Sequence, residues 1–356
     1  MDNNKDNSKF CSCDTKFQAF PLMNFSHSYP SSDIFSTTGK LEFRDRFDHF
    51  LARMGIDRMN HVVKPGLYKL GDPDKTSDII VSANYKLSFD SVRDSLQHID
   101  CYILVLDTKG INVWCAAGKG TFGTDELVKR IRLAELTKRV EHRRLIVPQL
   151  GAPGISAHEV FNRSGFKVEY GPIKASDLPE YLNERKTTPE MRKVKFPLKD
   201  RLILIPIELS HLLLPTIVLT LILYFFAGPL ASLAVITTVL AGTVLFPTLL
   251  PFIPTSDFTT KGFILGIIVA IPFSILYLTD PNTSPGASIL GSIIPLLIIP
   301  SVTAYITLNF TGATPLTSKS GVKKEIYRYI PILAFMGGAG IILLLLLGTL
   351  SFLEVI

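Results

Sequence analysis

The chain has 356 residues, enough for two or three domains, and it divides into a mixed, charged part over residues 1–200 and a strongly apolar part after it. Its four cysteines contain no CxxC pair, which excludes an iron–sulfur cluster held by this chain alone and favours a reducing compartment. The net charge of +6 has its densest excess just before the apolar part, so we expect no nucleic-acid partner.

Residues 1–40 are rich in Ser, Asp, Asn and Thr, and we expect a poorly ordered lead-in without a secretory signal. Cys11 and Cys13 lie in this segment, and we interpret them as solvated thiols because two thiols seldom close a metal site. From Leu41 to Met54 the apolar residues recur with a helical period, which predicts one amphipathic helix.

Strands and helices alternate in the next segment, the predicted domain 41–185. The predicted strands are 61–68, 78–83, 101–106, 145–147 and 166–170, and the predicted helices are 90–99, 113–117, 124–140, 156–162 and 176–184. This alternation predicts an α/β, Rossmann-like domain with a mostly parallel sheet, whose ligand lies at the carboxyl ends of the strands. Loops 83–86, 110–121 and 148–154 meet at that edge and supply Asn84, Gln149 and Gly151 as candidate binding residues.

The stretch Asn112–Gly120, with the sequence NVWCAAGKG, contains the only tryptophan of the chain. Asn112 is a predicted N-cap, and Gly118 is the predicted left-handed stop of a short helix over Val113–Ala117. Cys115 then lies at about the third helical position, where unpaired N–H groups and the helix dipole favour a thiolate. On spacing alone two interpretations stay open, a thiolate that contacts a cofactor and a small buried hydrophobic residue.

Residues 112–124, NVWCAAGKGTFGT, closely resemble the cap-helix signature of the mercury-methylating corrinoid proteins, which are membrane-anchored relatives of the corrinoid iron–sulfur methyl carriers. The resemblance runs through most of residues 60–185 and extends to the layout of the C-terminal half. It implies a corrinoid (cobalamin) cofactor, with Cys115 as the catalytic residue and the metal ligand to its cobalt. The implied cofactor-binding residues are Asn112, Val113, Trp114, Cys115, Ala116, Ala117, Gly118, Lys119, Gly120, Asn84, Gln149 and Gly151.

The activity implied by the resemblance is that of an enzyme, a corrinoid-dependent methyltransferase that moves a methyl group from methylcobalt(III) corrinoid to Hg(II) and gives methylmercury. The implied partners are a ferredoxin-like protein with two [4Fe–4S] clusters as reductant and a methyl-donor protein or methyltetrahydrofolate enzyme. Two alternatives stay open, a methyl-carrier corrinoid subunit of acetyl-CoA pathway carbon metabolism and a non-enzymatic membrane ligand-binding protein. The cysteine in the cap disfavours the first, and the corrinoid-like domain disfavours the second.

Gly118, Gly120 and Gly123 formally match the dinucleotide fingerprint GxGxxG. A dinucleotide site needs its first glycine directly after a strand, and Gly118 lies well beyond the end of the predicted strand 101–106. We therefore exclude a dinucleotide site.

Residues 186–202 form a predicted basic linker, and residues 203–356 form a predicted all-α transmembrane domain of five helices. The five apolar spans are 203–226, 229–252, 262–279, 287–309 and 330–352, each near the length that crosses a bilayer. Loops with Lys or Arg alternate with loops that have neither. The positive-inside rule therefore predicts a multi-pass protein of the cytoplasmic membrane, with the α/β domain in the cytoplasm and the C-terminus outside.

Glu208 and His211 lie three residues apart near the start of the first span. We interpret them as snorkelling towards the membrane surface or pairing with each other, with a functional role as the alternative.

Overall fold

The computed structural model describes residues 34–57, 60–311, 314 and 319–353. Cys11, Cys13 and most of the predicted lead-in lie outside the described residues. The described chain divides into two compact units, residues 34–195 and residues 196–353, and each is taken by itself below.

The first unit is built on one six-stranded sheet with the order β1-β2-β4-β3-β5-β6. Its strands are β1 Ile34–Thr37, β2 Gly66–Leu70, β3 Ile79–Ala83, β4 Cys101–Leu106, β5 Arg144–Val147 and β6 Lys167–Tyr170. Strands β3 to β6 are parallel to one another, whereas β2 is antiparallel to β4 and parallel to β1. The predicted α/β class with a mostly parallel sheet is therefore confirmed.

Helices cover both faces of this sheet. They are α1 Phe43–Arg53, α2 Lys86–Ser95, α3 Val113–Lys119, α4 Thr124–Leu133, α5 Leu136–Arg139, α6 Ala157–Ser164 and α7 Leu178–Glu184, with 3-10 turns at Gln149–Gly154 and Ala175–Asp177. Because neighbouring strand residues point to opposite faces, Leu104 packs into one core with Phe122, and Ile103 packs into the other with Phe89. Strands β3 and β4 are buried along their whole length, as expected for strands covered on both faces.

Some predicted boundaries of this unit differ from the structure. The predicted strand 61–68 is displaced, since β2 starts after Pro65, which has no N–H to donate to a ladder. Strand β1 lies within residues predicted to be a lead-in. The predicted helix 124–140 is divided into α4 and α5 at Glu135, whose φ of 47° breaks the helical backbone.

The second unit is helical. Its helices are α8 Leu198–Leu202, α9 Ile205–Leu240, α10 Phe246–Leu249, α11 Phe258–Leu278, α12 Pro285–Thr311 and α13 Lys319–Phe352, with a π-helical turn at Ala241–Leu245 between α9 and α10. Among the described residues, four helical segments are long and apolar enough to cross a membrane.

The predicted count of five spans is not matched, because the predicted spans 203–226 and 229–252 fall in one apolar segment, Leu198–Leu249. Gly228 interrupts α9 between them with φ 85° and ψ 176°, a conformation that in practice only glycine adopts. The two predicted spans therefore correspond to two helical stretches joined at Gly228.

A carboxylate from another helix caps the start of α11. The carboxylate of Glu325, on α13, accepts hydrogen bonds from the backbone N–H groups of Phe258 and Thr259 at 3.4 and 3.1 Å and from the Thr259 hydroxyl at 2.9 Å. The first N–H groups of a helix have no partner inside the helix, so Glu325 acts as a cap supplied by another helix.

Candidate functional site

Helix α3 is set by two local signals. Asn112 precedes it in an extended conformation, and its Oδ1 accepts a hydrogen bond from the backbone N–H of Cys115 at 2.9 Å. Gly120 follows the helix with a left-handed φ of 83°. The predicted N-cap and the place of Cys115 as the third helical residue are confirmed. The predicted stop at Gly118 is wrong, because the helix runs on to Lys119 and Gly120 ends it.

The two faces of α3 differ in burial. Ala116 and Ala117 are buried in the core of the α/β unit. Cys115 is half-buried, while Gly118 and Lys119, which follow it by three and four residues and so share its side of the helix, are exposed. The helix is thus held through its alanines and presents the cysteine side outward.

The glycines at the end of α3 are open to solvent, whereas those of the neighbouring turn Gln149–Gly154 are tightly packed. A Cβ added at Gly118 or Gly120 would meet no atom within 4 Å, so these positions face open space. A Cβ at Gly151 would lie 2.4 Å from a ring carbon of Phe122, and one at Gly154 would lie 2.2 Å from the Phe122 carbonyl oxygen. The turn Gln149–Gly154 therefore packs closely on the segment that follows α3, and it can do so only because these residues are glycines.

Asn84, at the end of β3, is a buried residue that fixes the loop leading into α3. Its Oδ1 accepts hydrogen bonds from the backbone N–H groups of Thr108 and Gly110, both at 3.0 Å, and contacts the Thr108 hydroxyl at 2.8 Å. The sequence indicated Asn84 by its place at a strand end, but it gave no sign that Thr108 and Gly110 would share this one oxygen.

The other candidates have distinct surroundings. Gln149 Oε1 accepts a hydrogen bond from Arg192 at 2.7 Å, and Gly151 lies buried against Phe122. Trp114 is half-buried on the first turn of α3. The stretch 112–120 thus lies at one edge of the sheet. Asn84 holds the loop before α3, and Gly151 packs on Phe122 after it. Contact of these residues with a cofactor stays a prediction.

Phe122 is a residue that sequence reasoning missed. It is fully buried in the core beside α3, and both Gly151 and Gly154 pack on it. A single aromatic residue inside the glycine-rich run that follows the cysteine was the available signal.

The two described cysteines have different environments. Cys101 is buried on β4, and burial together with nearby Asp78 and Asp100 raises the pKa of its thiol to about 12. Cys115 lies on the half-exposed side of a helix N-terminus, where the dipole favours a negative charge. Cys101 thus lies in the core of the α/β unit. A reactive or metal-binding thiolate at Cys115 stays a prediction.

Comparison with known proteins shows that the α/β unit is similar to subunits of acetyl-CoA synthase and decarbonylase complexes. Residues 57–182 match the family described as CO dehydrogenase/acetyl-CoA synthase delta subunit (CdhD). The gamma subunit of the acetyl-CoA decarbonylase/synthase complex from Methanopyrus kandleri is 35% identical over 124 residues, which are 34% of this chain and 26% of that protein.

Two further relatives cover similar shares. The corresponding gamma subunit from Methanothermobacter thermautotrophicus is 32% identical over 129 residues, 36% of this chain and 28% of that protein. The corrinoid/iron-sulfur protein large subunit of Moorella thermoacetica is 27% identical over 118 residues, 33% of this chain and 26% of that protein. The chain thus spans about a quarter of the length of these curated relatives, and β1, α1 and the whole second unit lie outside the matched residues 57–182.

These comparisons correct the predicted activity. The predicted mercury-methylating methyltransferase is wrong, because the similar proteins are subunits of the acetyl-CoA decarbonylase/synthase complex and a corrinoid/iron-sulfur protein. They agree better with the methyl-carrier alternative. The coarser prediction is confirmed: the α/β unit is similar to a corrinoid/iron-sulfur protein and to subunits of the acetyl-CoA decarbonylase/synthase complex.

Proposed function

We propose that this chain is a membrane-attached methyl carrier whose α/β unit binds a corrinoid against α3. The observation that carries the corrinoid site is the half-buried Cys115 on the first turn of a capped helix, at the carboxyl edge of parallel strands and inside the matched residues 57–182. The carrier role, which the cysteine in the cap by itself disfavours, is supported by the names of the similar proteins. The residues fit such a group, because the cysteine side of α3 faces open space at Gly118 and Gly120. The absence of a Cβ at these two positions would let a bound ring approach the helix closely.

A bound corrinoid supplies a cobalt atom that accepts and releases a methyl group. Cys115 would hold that cobalt through its Sγ, a soft donor that matches a transition metal better than an oxygen ligand does. The dipole of α3 would favour the thiolate form, and the buried Ala116 and Ala117 fix the side of the helix on which Cys115 lies. Lys119, exposed one turn later, would donate a hydrogen bond to an amide oxygen at the edge of the cofactor.

The remaining proposed binding residues act around this centre. Asn112 and Gly120 set the two ends of α3. Val113 and Trp114, half-buried on the first turn, would contact the face or edge of the ring. Asn84 and Gly151 hold the helix from below, so we assign them a positioning role rather than direct contact; Gln149, beside Gly151, would lie at the rim.

The proposed protein partners follow from the names of the relatives. A corrinoid/iron-sulfur protein among them supports an iron–sulfur reductant, which we propose to be the ferredoxin-like protein with two [4Fe–4S] clusters. The acetyl-CoA decarbonylase/synthase subunits support an acetyl-CoA-forming complex as the destination of the methyl group and a methyltetrahydrofolate-linked enzyme as its source.

The proposed membrane topology places the α/β unit in the cytoplasm and the C-terminus on the other side. Lys and Arg are concentrated in residues 185–201 and 319–328 and occur at Lys261, whereas residues 280–286 have none. Under this rule the segment Leu198–Leu249 starts and ends on the same side. A single helix of its 52 residues would be about 78 Å long at 1.5 Å per residue, more than twice the hydrocarbon thickness, so we propose that it crosses twice and turns at Gly228.

The test uses the full chain, purified anaerobically in detergent and reconstituted with hydroxocobalamin. We expect a bound corrinoid whose visible spectrum differs from that of the water-ligated cofactor, and a Cys115→Ala variant whose bound cofactor shows the water-ligated spectrum. Cys101→Ala is the matched control and should leave the spectrum unchanged, because that thiol is buried on β4. Identical spectra for Cys115→Ala and the parent would contradict the ligand assignment, and no corrinoid uptake at all would favour a non-enzymatic membrane protein.

A second assay tests the carrier role. With a labelled methyltetrahydrofolate donor and its methyltransferase, we expect label to pass through this chain to acetyl-CoA when acetyl-CoA synthase, CO and coenzyme A are present. Label that reaches an inorganic soft metal ion such as Hg(II) and never acetyl-CoA would contradict the carrier role.

A further inference from the structure

Helix α1 packs on the α/β unit through its charged side. Asp45 forms ion pairs of 2.7 Å with Lys86 and with Arg93 on α2, and His49 contacts the buried Asp90 of α2 at 2.7 Å. Asp90 in turn pairs with Lys86 and Arg93, both at 2.7 Å. This charged network fixes which side of α1 faces the domain, and it is the reverse of the usual arrangement, in which the apolar side is buried.

The opposite side of α1 is aromatic and exposed. Phe43, Phe47 and Phe50 follow the i, i+4, i+7 spacing of one helical face, and their side chains are 82%, 51% and 55% exposed. Their rings lie against one another along the helix, with centroids 6.3 and 6.5 Å apart. We call Phe43, Phe47 and Phe50 the aromatic face.

The charges beside the aromatic face are mainly basic. Arg46 and Arg53 lie along one edge of it at about 100° per residue, and Arg44 lies along the other. All three arginines are exposed, and so is the acidic N-cap Glu42, whereas Asp45 and Asp48 are turned inward and only half-exposed or less. The outer surface of α1 thus combines three phenylalanines with three arginines.

We propose that α1 is an interfacial helix that inserts its aromatic face into the surface of an anionic lipid bilayer. Aromatic residues on one face with arginines along its edges are the composition of helices that lie in the plane of a membrane, and the arginines complement anionic headgroups. The same chain carries four apolar helical segments long enough to cross a bilayer, and these would tether α1 near lipid and raise its effective concentration there.

The position of α1 in the chain separates this surface from the corrinoid proposal. The helix lies outside the matched residues 57–182, so the match with known proteins does not include it. A lipid-bound α1 would fix the orientation of the α/β unit at the membrane through the network that joins Asp45 and His49 to α2.

The experiment places a tryptophan on the aromatic face of the full chain in proteoliposomes. A Phe47→Trp variant is compared with a Phe161→Trp variant, because Phe161 on α6 is 55% exposed but is followed by Arg163, which pairs with Glu159 and Asp125 in a charge-balanced surface. Fluorescence quenching by brominated phosphatidylglycerol and by aqueous acrylamide is measured, with the signal of the parent protein subtracted to remove Trp114.

We expect brominated lipid to quench the added tryptophan about threefold more strongly in Phe47→Trp than in Phe161→Trp, and acrylamide to show the reverse order. Adding Arg44→Glu, Arg46→Glu and Arg53→Glu to Phe47→Trp should lower lipid occupancy by about fivefold for each arginine that contacts headgroups. Strong acrylamide quenching of Phe47→Trp without lipid quenching would overturn the proposal. Protection from both quenchers would also overturn it, because protein, whether residues 1–33, a second copy or another partner, would then cover this face.

Discussion

Replacing Asn84 with alanine tests whether one buried oxygen positions α3. The variant removes the acceptor shared by the backbone N–H groups of Thr108 and Gly110 and leaves both donors in a buried loop. The Thr108 hydroxyl loses little, because it also lies 2.7 Å from the Ile111 carbonyl oxygen and its single hydrogen can be donated there.

The expected loss of stability follows from the two buried N–H groups that are left without an acceptor. A buried N–H without an acceptor costs about 1–3 kcal/mol, so Asn84→Ala should lower the free energy of unfolding by about 2–6 kcal/mol. Since domains are stable by only about 5–15 kcal/mol, this loss is large enough to open the loop from β4 to α3 before the rest of the unit.

The assay uses the only tryptophan of the chain, which lies within α3. A urea titration of the full chain in detergent, followed by tryptophan fluorescence, should show an earlier transition for Asn84→Ala than for the parent. Asn162→Ala, an exposed change on α6, is the control and should leave the midpoint in place. A shift below about 0.5 kcal/mol for Asn84→Ala would refute the positioning role.

The remaining predictions concern packing, thiol reactivity, pH and topology. Gly154→Ala should lower stability by about 1–3 kcal/mol in thermal unfolding because its Cβ meets the Phe122 segment, whereas Gly118→Ala should change stability little and weaken hydroxocobalamin binding; equal stability losses would contradict the difference in their surroundings. Iodoacetamide at pH 8, read by mass spectrometry, should modify Cys115 in the native protein and spare Cys101, whose pKa burial raises to about 12; rapid modification of Cys101 would show that β4 opens. Burial raises the pKa of Asp90, but hydrogen bonds from its basic neighbours outweigh burial and hold it below the usual value, so its stabilisation is present above about pH 4 and disappears as the pH falls further. Asp90→Asn should cost about 3–5 kcal/mol at pH 7 and flatten the acid limb of the stability curve, and an unchanged acid limb would argue against this network. A protease site added after the C-terminus should be cut from outside right-side-out vesicles, because the proposed topology crosses the membrane five times. Protection of that site would indicate four crossings and contradict the topology.

The sequence predicted those parts of the fold that depend on local signals. Strands β3 and β4 are continuous apolar runs, and Asn112 is a capping residue directly before α3, so each could be recognised without knowing its neighbours. Strand β1 and the antiparallel direction of β2 depend on pairing between distant segments, which no local pattern specifies.

The orientation of α1 shows a different limit. Its periodicity correctly predicted an amphipathic helix, but the period does not say which side the fold buries. The ion pairs of Asp45 with α2 decide that, and they join residues more than forty positions apart. For the same reason Asn84 could be placed at the candidate site from its strand end, while its role as the acceptor for Thr108 and Gly110 required the three-dimensional arrangement.

The cap that Glu325 provides has a consequence for biosynthesis. The N–H groups of Phe258 and Thr259 leave the ribosome well before Glu325 is made, because these donors precede the acceptor by 67 and 66 residues, respectively. Until α13 is synthesised, the start of α11 lacks the carboxylate that completes it. The helical unit therefore reaches its final packing only after α13 is made, and a nascent chain arrested before residue 325 should leave the N–H groups at the start of α11 without this acceptor.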